Sequence, residues 1–327
     1  MILSGDIGGT KTHLALFDAN DPSLRPLVVR SYPSRRYGGL PEVVRELLRE
    51  HPASVSAAAF GIAGPVVAGK SKLTNLGWDV DGSEVASELR LPQVGLLNDL
   101  EAMAYGTLHI GAEERVVVQK GEPQPRRAIA VIAAGTGLGM GGLFWDGTRY
   151  RALPTEGGHT DFGPRDEVEI DLLRFLTKKF GRVSYERIIS GPGLVNLYEF
   201  FRTRTEAPEP EWLRNEMASG DPSAAISAAG LAGKDAVCVQ ALERFVSVYG
   251  AESGNLALKM LSTGGVVVGG GIAPKILPFM QDGSFMRSFV AKGRYRKLLE
   301  QMPVEIILND KAALIGAAHY AMVMMNH

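Results

Sequence analysis

The sequence lacks the residues that would commit it to an oxidising compartment or to nucleic acid. Its 327 residues include one cysteine, Cys238, so neither an internal disulfide nor a zinc site built from several thiolates can form. The 35 Lys and Arg residues balance 36 Asp and Glu, and this net charge of −1 gives no basic excess that would favour nucleic acid or an anionic membrane. No charged segment followed by an apolar stretch opens the chain, as it would in a signal peptide. We therefore expect a cytoplasmic protein.

The sequence also lacks an uninterrupted apolar run that would cross a membrane. The 18 residues from Ala128 to Trp145 carry no charge, which is close to transmembrane length. Five glycines lie inside this stretch, and that density of glycine strongly disfavours a helix. The stretch is therefore predicted to form two buried strands joined by a glycine loop.

The remaining composition is that of a folded α/β protein with two domains. Apolar residues make up 45% and charged residues 22%, as in soluble globular chains, and 327 residues exceed one ordinary core. Apolar strands such as Val55–Ile62 alternate with amphipathic helices such as Pro41–Glu50, which favours an α/β fold. The second half is more helical. One long helix, or a pair broken near Gly250 and Gly254, is predicted over Asp235–Leu261.

Three further predictions concern element ends and connections. Ser83 is the expected N-cap of a helix over Ser83–Leu89. A helix over Leu100–His109 is expected after a strand that ends at Asn98-Asp99. The proline-flanked stretch Glu206–Asp221 is expected to be a connection.

A short repeat relates two parts of the chain. Aligning Gly8 with Gly135, at an offset of 127 residues, also aligns Phe17 with Phe144. Each copy has the pattern of a strand, a glycine-rich turn and a second strand. Both chance similarity and descent of two domains from one ancestral design explain the repeat.

Three glycine-rich loops each follow a predicted strand. Glycine lets the backbone approach a ligand closely, and successive backbone N–H groups form a concave site for anions. Any one such loop is also explained as a simple turn, but three in one chain favour a nucleotide polyphosphate. The loops are Asp6-Ile-Gly-Gly-Thr-Lys11, Gly135-Thr-Gly-Leu-Gly139 and Gly269-Gly-Gly-Ile-Ala273.

Two other nucleotide-binding patterns do not match. The dinucleotide fingerprint G-x-G-x-x-G requires a glycine where Met140 stands, and a strand rather than a helix is predicted to follow. The P-loop pattern, with its terminal Gly-Lys-Ser/Thr, is absent. The glycine loops therefore favour neither of these two site types.

Two aspartates end predicted buried strands, where ligands bind in open α/β sheets. A buried Asp6 carboxylate would be costly unless it lay near a cation, and magnesium with nucleotide phosphates meets that need. Asp99 suits a base that accepts the proton of an attacking hydroxyl in phosphoryl transfer, and Asn98 can bind sugar hydroxyls. The structural alternatives are a turn-capping role for Asp6 and a helix-capping role for Asn98-Asp99.

Polar residues between glycines favour a site for sugar hydroxyls. Glu156 and His159 flank a pair of glycines, and Glu186 lies near Ser190-Gly-Pro-Gly193. A sugar needs several fixed donors and acceptors, and carboxylates are efficient acceptors. His159 and Asp161 would suggest a metal, but no further ligands accompany them, so a metal is not expected there.

Together these motifs resemble the bacterial glucokinase family, within the hexokinase–actin–heat-shock superfamily. The similarity runs nearly from end to end. It is carried by Asp6-Ile-Gly-Gly-Thr10, Leu97-Asn-Asp99, Gly135-Thr-Gly-Leu-Gly139, Glu156-Gly-Gly-His-Thr-Asp-Phe162, Glu186-Arg-Ile-Ile-Ser-Gly-Pro-Gly193 and Gly269-Gly-Gly-Ile-Ala-Pro274.

The resemblance implies a kinase that transfers the γ-phosphate of ATP to the 6-hydroxyl of glucose, giving glucose 6-phosphate and ADP, with Asp99 as general base and with Mg2+ required. The implied hexose contacts are Asn75, Asn98, Asp99, Glu156, His159 and Glu186. The implied nucleotide contacts are Asp6, Gly8, Gly9, Thr10, Lys11, Gly135, Thr136, Gly137, Gly269, Gly270, Gly271 and Ile272. Asp6 would bind magnesium directly or through water. Thr74-Asn75 and Trp78 resemble a family segment on the sugar side.

The fold implied by the resemblance is the two-domain actin-like ATPase (ribonuclease H-like) fold, which is α/β. It has a small α/β domain, residues 1–109 plus 309–327, and a larger α+β domain, residues 110–308, around a cleft. Closure on the sugar would expel water and limit wasteful hydrolysis of ATP. The resemblance also implies a homodimer and a role in glycolysis.

Some positions depart from the family pattern. Lys11 stands where proteobacterial glucokinases usually carry Asn, and Ala134 and Thr155 stand where they often carry Gly. A related family of repressors and open-frame kinases shares Gly-Gly-Thr-Lys but carries a cysteine-rich zinc motif, which one cysteine cannot supply. The alternatives are a kinase for mannose, fructose or an amino sugar, and a non-catalytic sugar-responsive regulator, although no DNA-binding helices precede the first loop. Polyphosphate in place of ATP also stays open.

Overall fold

The computed structural model describes residues 1–73 and 75–325, so Thr74 lies outside the described residues. The chain forms two compact units. Unit 1 consists of Met1–Arg115, Gly142–Pro154 and the described residues from Asn309 onward, and unit 2 consists of Val116–Gly141 and Thr155–Leu308.

The strands are β1 (Ile2–Ile7), β2 (Lys11–Phe17), β3 (Pro26–Pro33), β4 (Ala57–Ile62), β5 (Lys70–Leu73), β6 (Trp78–Asp81), β7 (Gly95–Asn98), β8 (Arg115–Gln119), β9 (Ile129–Ala134), β10 (Leu138–Trp145), β11 (Tyr150–Thr155), β12 (Gly265–Gly269) and β13 (Val304–Ile307). The helices are α1 (Leu40–Glu50), α2 (Gly82–Leu89), α3 (Asp99–Thr107), α4 (Glu167–Phe180), α5 (Gly191–Arg202), α6 (Glu211–Ser219), α7 (Pro222–Leu231), α8 (Ala236–Met260), α9 (Leu277–Gln281), α10 (Ser284–Phe289), α11 (Arg296–Gln301) and α12 (Ala312–Met325).

Unit 1 is built on a five-stranded sheet of order β3-β2-β1-β4-β7. β1 pairs antiparallel with β2 and parallel with β4, and β4 pairs parallel with β7. Alternate residues of a strand face opposite sides of its sheet, so Leu3 joins the core with Val43 of α1 while Ile2 joins the core with Ile315 of α12. Because α1 covers one face of this sheet and α12 covers the other, polar side chains of the sheet reach solvent at the ends of the strands.

Close packing of α3 against α12 fixes the helix that begins at Asp99. A Cβ at Gly106 would lie 1.9 Å from the Ala312 carbonyl oxygen, and one at Gly316 would lie 1.7 Å from that of Ala102. Only glycine permits backbones to approach this closely. The two glycines therefore hold α3, and with it Asp99, in a fixed position within unit 1.

Unit 2 contains a six-stranded sheet of order β11-β10-β9-β12-β13-β8. β12 pairs parallel with both β9 and β13, and this centre is packed against the long helix α8. The charge-free stretch from Ala128 to Trp145 forms β9, a short loop and β10, as predicted.

Helix α8 runs unbroken through Gly250 and Gly254, where the sequence left open a break. A Cβ at Gly250 would lie 2.1 Å from the Phe285 carbonyl oxygen, and one at Gly254 would lie 2.4 Å from that of Phe289. These glycines therefore allow α10 to pack closely against α8, and they do not end the helix.

Two local predictions differ from the structure. The N-cap of α2 is Asp81, whose carboxylate accepts the Ser83 N–H at 2.8 Å, so Ser83 lies inside the helix rather than before it. The predicted connection Glu206–Asp221 contains α6. Gly142–Pro154 group with unit 1. Within unit 1 the Ala152 N–H donates to the Tyr105 hydroxyl at 3.1 Å.

Candidate functional site

The first glycine loop is a tight turn between β1 and β2. The Gly8 N–H donates to the Lys11 carbonyl at 3.0 Å, which closes the turn and leaves Thr10 and Lys11 exposed. Behind the loop, the buried Ser34 hydroxyl donates to the Gly8 carbonyl at 2.9 Å and lies 3.0 Å from the Thr12 hydroxyl. Ser34 was missed in the sequence, because 26 residues separate it from Gly8.

Asp6 lies one strand position before this loop, opposite Gly61 of β4. Burial raises the pKa of the Asp6 carboxyl to about 6, and no neighbouring charge or hydrogen bond among the described residues offsets that effect. Asp6 is half-buried, and a carboxylate partly removed from water is a ligand that a hard metal ion would stabilise. Magnesium is commonly held by one or two carboxylates together with substrate phosphates, so a single aspartate fits it.

Asn98 and Asp99 lie at the junction of β7 and α3. The Asn98 side chain caps the helix by accepting the Leu100 N–H at 2.9 Å, and its amide donates to the Gly64 carbonyl at 3.1 Å. Glu101 completes a capping box by accepting the Asn98 N–H at 2.9 Å. Asp99 is the first helical residue, and its Oδ1 also accepts the Leu100 N–H, at 2.8 Å. Asn98 therefore caps α3, as the helix-capping alternative predicted. The Asp99 carboxylate lies at the positive end of the helix dipole.

Asn75 lies next to the first glycine loop. It is exposed in the turn between β5 and β6, and a Cβ at Gly9 would lie 3.8 Å from the Asn75 Cβ. The fold therefore brings Asn75 beside Gly9, within unit 1.

Unit 2 brings Glu156, His159 and Glu186 together. His159 Nε2 lies 3.9 Å from Glu156 Oε2, and His159 Nδ1 lies 3.8 Å from Glu186 Oε1. A Cβ at Gly158 would lie 2.0 Å from the Leu138 carbonyl oxygen, so this glycine lets the turn that carries His159 pack directly on β10. These are three of the hexose contacts that the family resemblance implies, and Glu156 and Glu186 lie 30 positions apart in the sequence.

Asp161, the other residue considered for a metal, is paired with a cation. Its carboxylate forms an ion pair with the Arg182 Nε at 2.7 Å. Throughout residues 1–73 and 75–325, no group of three or more His, Cys, Asp or Glu side chains is placed to hold a metal ion.

The second and third glycine loops lie side by side, at the carboxyl ends of the paired strands β9 and β12. The Gly135 N–H donates to the Gly137 carbonyl at 2.9 Å, which closes the second loop around Thr136. In the third loop, Gly270 has φ +81°, and a Cβ there would lie 2.3 Å from the Ala134 carbonyl oxygen. No atom lies within 4 Å of the Cβ position at Gly135 or Gly271, so the backbone of both loops has open space beside it.

Tyr249 of α8 bonds the strand ends from which these two loops begin. Its buried hydroxyl accepts the Ala134 N–H at 3.1 Å and lies 3.4 Å from the carbonyl oxygens of Ile132 and Gly269. Burial raises the pKa of this phenol well above its ordinary value, so it stays a neutral hydrogen-bonding group. Tyr249 was not predicted as a supporting residue, because in the sequence it is one more apolar position of the helix that forms α8.

None of the helices in the described part of the chain is long and apolar enough to span a membrane. The architecture that carries the site residues is a pair of α/β units, each with a strand–glycine loop–strand motif. This is the two-domain actin-like ATPase class of fold, and the α/β prediction is confirmed.

Comparison with known proteins gives the family. A family model described as glucokinase matches residues 3–324. A glucokinase of Nostoc sp. is 45% identical over 97% of this chain and 98% of its own length, and a glucokinase of Synechocystis sp. is 44% identical over 97% and 96%. A crystal structure of a glucokinase from an Antarctic psychrotroph is 31% identical, with a TM-score of 0.85 and 98% of each chain covered. The chain belongs to the glucokinase family, which confirms the resemblance seen in its motifs.

Proposed function

We propose that this protein is an ATP-dependent glucokinase, which transfers the γ-phosphate of ATP to the 6-hydroxyl of glucose and releases glucose 6-phosphate and ADP. The observation that carries the proposal is the family match over residues 3–324, which includes every site residue predicted from the sequence. The net charge of −1 is consistent with small-molecule substrates such as glucose and ATP, since binding them needs no extended charged surface.

Asp99 is the proposed general base. As the 6-hydroxyl oxygen forms its bond to the γ-phosphorus, the Asp99 carboxylate accepts the hydroxyl proton, and the bond from phosphorus to the β-phosphate oxygen breaks. The helix dipole at the start of α3 and the Leu100 N–H both favour the ionised carboxylate. Proton acceptance is a modest part of phosphoryl transfer, which depends chiefly on positioning and charge stabilisation.

The proposed hexose ligands are Asn75 and Asn98, with Asp99, in unit 1 and Glu156, His159 and Glu186 in unit 2. Their carboxylates and amides supply the acceptors and donors that sugar hydroxyls require. Asn98 has already used one lone pair and one N–H in capping α3 and in bonding Gly64. Its second lone pair and second N–H are what remain for a sugar.

The proposed nucleotide site consists of the three glycine loops. Gly8, Gly9, Thr10 and Lys11 would bind phosphates in unit 1, and Gly135, Thr136 and Gly137 would do so in unit 2. Gly269, Gly270, Gly271 and Ile272 would lie near adenosine. Asp6 would hold magnesium, directly or through water, and the ion would neutralise charge on the phosphate oxygens.

A coupled assay of ADP formation with glucose, ATP and magnesium tests the proposal. The purified protein is expected to turn over, and Asp99→Asn, which keeps the shape of the side chain, is expected to lower kcat by about 10²–10⁴-fold, the range for general acid–base catalysis. Circular dichroism should show the variant to be folded. Turnover by a folded Asp99→Asn protein near the wild-type rate would reject Asp99 as the base.

The choice of sugar, the phosphate donor and the homodimer are also parts of the proposal. A panel of glucose, mannose, fructose and glucosamine ranked by kcat/KM tests the sugar, because an inverted or missing hydroxyl leaves a buried polar partner unpaired. Polyphosphate in place of ATP tests the donor. Light scattering tests the expected homodimer. A cytoplasmic location, a role in glycolysis and a domain division at residues 109/110 and 308/309 stay predictions.

A further inference from the structure

The Glu186 carboxylate contacts two different predicted binding elements of unit 2. Glu186 lies in the short 3-10 helix Tyr185–Arg187. Its Oε2 accepts the N–H of Leu138, the residue that follows the glycine loop 135–137, at 3.0 Å. Its Oε1 lies 3.8 Å from His159 Nδ1, one of the proposed hexose ligands. A single side chain thus touches both the phosphate loop and the sugar cluster.

The contact between Glu186 and the glycine loop leaves no room for a side chain at Gly137 unless the Glu186 carboxylate shifts. A Cβ at Gly137 would lie 2.6 Å from Glu186 Oε2, whereas a Cβ at Gly135 would meet no atom within 4 Å. Contacts under 3.0 Å do not occur for real Cβ atoms without a shift of one partner. The position of the carboxylate and the conformation of the loop therefore depend on each other at Gly137 and not at Gly135.

A second contact joins the same two segments through the backbone. The Gly191 N–H, at the start of α5, donates to the Gly135 carbonyl at 2.8 Å. The Ser190 hydroxyl donates to the Glu186 carbonyl at 2.7 Å and accepts the Gly193 N–H at 3.0 Å. The segment from Glu186 to Gly193 therefore bonds both ends of the loop: Gly191 bonds Gly135 through the backbone, and the Glu186 side chain bonds Leu138.

We propose that Glu186, besides contacting the hexose, is the positioning residue that holds the 135–137 loop in its nucleotide-binding conformation and so couples hexose affinity to nucleotide affinity. This inference rests on the proposed function. A hexose hydroxyl bonded to Oε1 orients the carboxylate whose other oxygen holds the loop. Because coupling between binding equilibria is reciprocal, a bound nucleotide favours the hexose by the same factor.

Nucleotide affinity without any sugar gives the first test. Removing the carboxylate would also remove a negative charge near the phosphates, so the charge effect must be separated from the loop contact. Glu186→Gln removes the charge but keeps an oxygen that accepts the Leu138 N–H, and Glu186→Ala removes both. Dissociation constants for ADP with magnesium chloride, measured by isothermal titration calorimetry, should be about three- to tenfold higher for Glu186→Ala than for Glu186→Gln.

That ratio follows from preorganisation. Without its acceptor the Leu138 N–H no longer fixes the loop, so the loop must be ordered when the nucleotide binds, which weakens the affinity. A residue that only touches sugar would leave ADP affinity alike in the two variants. Equal ADP dissociation constants for the two folded proteins would therefore overturn the inference.

Sugar affinity without any nucleotide gives the reciprocal test. Gly137→Ala places a methyl group against Oε2, so the carboxylate must shift, and the glucose dissociation constant is expected to rise about three- to tenfold. Gly135→Ala, two residues away in the same loop, places its methyl group in open space and should leave glucose affinity unchanged. Wild-type glucose affinity in Gly137→Ala contradicts the inference.

Failure of the proposed function looks different from failure of this inference. If the wild-type protein binds neither ADP nor glucose, the proposed function fails. If it binds both but the paired variants do not differ as stated, the proposed function stands and the role of Glu186 as a positioning residue does not.

Discussion

The first and second glycine loops have the same strand–loop–strand pattern, yet they are held by different chemistry. In unit 1 the loop between β1 and β2 is held by the buried hydroxyl of Ser34, which bonds the Gly8 carbonyl. In unit 2 the loop between β9 and β10 is held by Glu186, an ionisable side chain that is also a proposed hexose ligand. The two loops that the sequence repeat relates are therefore alike in backbone and unlike in what supports them.

This difference indicates that the side chain supporting a loop decides whether the loop conformation is fixed or changes when a ligand binds. A buried hydroxyl that forms its hydrogen bonds within the protein keeps its position when a ligand binds. The Glu186 carboxylate has one oxygen on the loop and the other beside His159, so its bonding would change if a sugar hydroxyl bound to it as proposed. We expect loop 1, the first glycine loop, to be preformed and loop 2, the second glycine loop, to depend on the hexose. The following predictions concern the contacts that support the loops and the site residues in each unit.

The largest expected effect concerns the backbone contact between the second and third loops. Gly270→Ala would force a Cβ to within 2.3 Å of the Ala134 carbonyl oxygen at a φ of +81°, so both overpacking and backbone strain oppose it. We expect the free energy of unfolding to fall by about 2–4 kcal/mol. Urea unfolding measures this. Gly271→Ala is the matched control, because its Cβ meets no atom within 4 Å; equal losses in the two variants would refute the steric explanation.

A smaller effect is expected from the hydroxyl that supports loop 1. Ser34→Ala leaves the Gly8 carbonyl and the Thr12 hydroxyl with one hydrogen bond fewer, so the free energy of unfolding should fall by about 1–3 kcal/mol. Ser4→Ala in β1 is the control, because the Ser4 hydroxyl is buried and has no hydrogen-bond partner among the described residues. Removing it should be neutral or stabilising. If Ser4→Ala costs as much as Ser34→Ala, the loss reflects packing and not the bond to Gly8.

The sequence was sufficient for features that depend on neighbouring residues. Glycines between apolar strands predicted the loops at 8–10 and 135–137, because each loop and its two strands lie within one short stretch, Ile2–Phe17 or Ile129–Trp145. The capping alternative for Asn98 was also visible, since the helix it caps begins at the next residue. These are interactions whose partners adjoin in the chain.

Supports that come from distant segments were not predictable in the same way. Tyr249 bonds Ala134 across 115 residues, and in the sequence a buried tyrosine on α8 is not distinguishable from other core positions. The glycines at 250 and 254 raised the alternative of a broken helix, because the close approach of α10 that explains them is a tertiary contact. The residues proposed to bind ligands were thus visible in sequence motifs, whereas the distant residues that hold those motifs in place were not.

A third prediction concerns the capping box that carries Asp99. Glu101→Ala removes the acceptor of the Asn98 N–H, and loss of a cap of this kind should lower the free energy of unfolding by about 1–2 kcal/mol. Because Asp99 follows directly, kcat should fall several-fold while the ADP dissociation constant stays unchanged. Glu101→Gln keeps an acceptor and should retain most of both stability and kcat. If it behaves like Glu101→Ala, the charge of Glu101 matters rather than its hydrogen bond.

The smallest expected effect is a dependence of unit 1 on pH. In unit 1, His109 Nε2 lies 2.8 Å from His319 Nδ1, and the two rings contact each other at the packed end of α3 and α12. Burial, together with the nearby charges of His109 and Arg149, lowers the pKa of His319 to about 4, and burial lowers the pKa of His109. Between pH about 4, the pKa of folded His319, and pH about 6.5, the unfolded chain binds more protons than the folded one. The histidine pair therefore stabilises the folded state less as the pH falls from about 6.5 to about 4.

His319→Gln isolates this contribution. Asp6 has the opposite sign, since burial raises its pKa to about 6 and the folded state then binds the extra proton, but Asp6 is the same in both proteins and cancels in their difference. Since His319 is partly exposed, we expect wild type to lose about 1 kcal/mol more than His319→Gln between pH 7 and pH 5 in urea unfolding. Parallel pH profiles for the two proteins would mean that the histidine pair does not oppose folding in acid. Any loss of stability in acid would then come from groups other than His109 and His319.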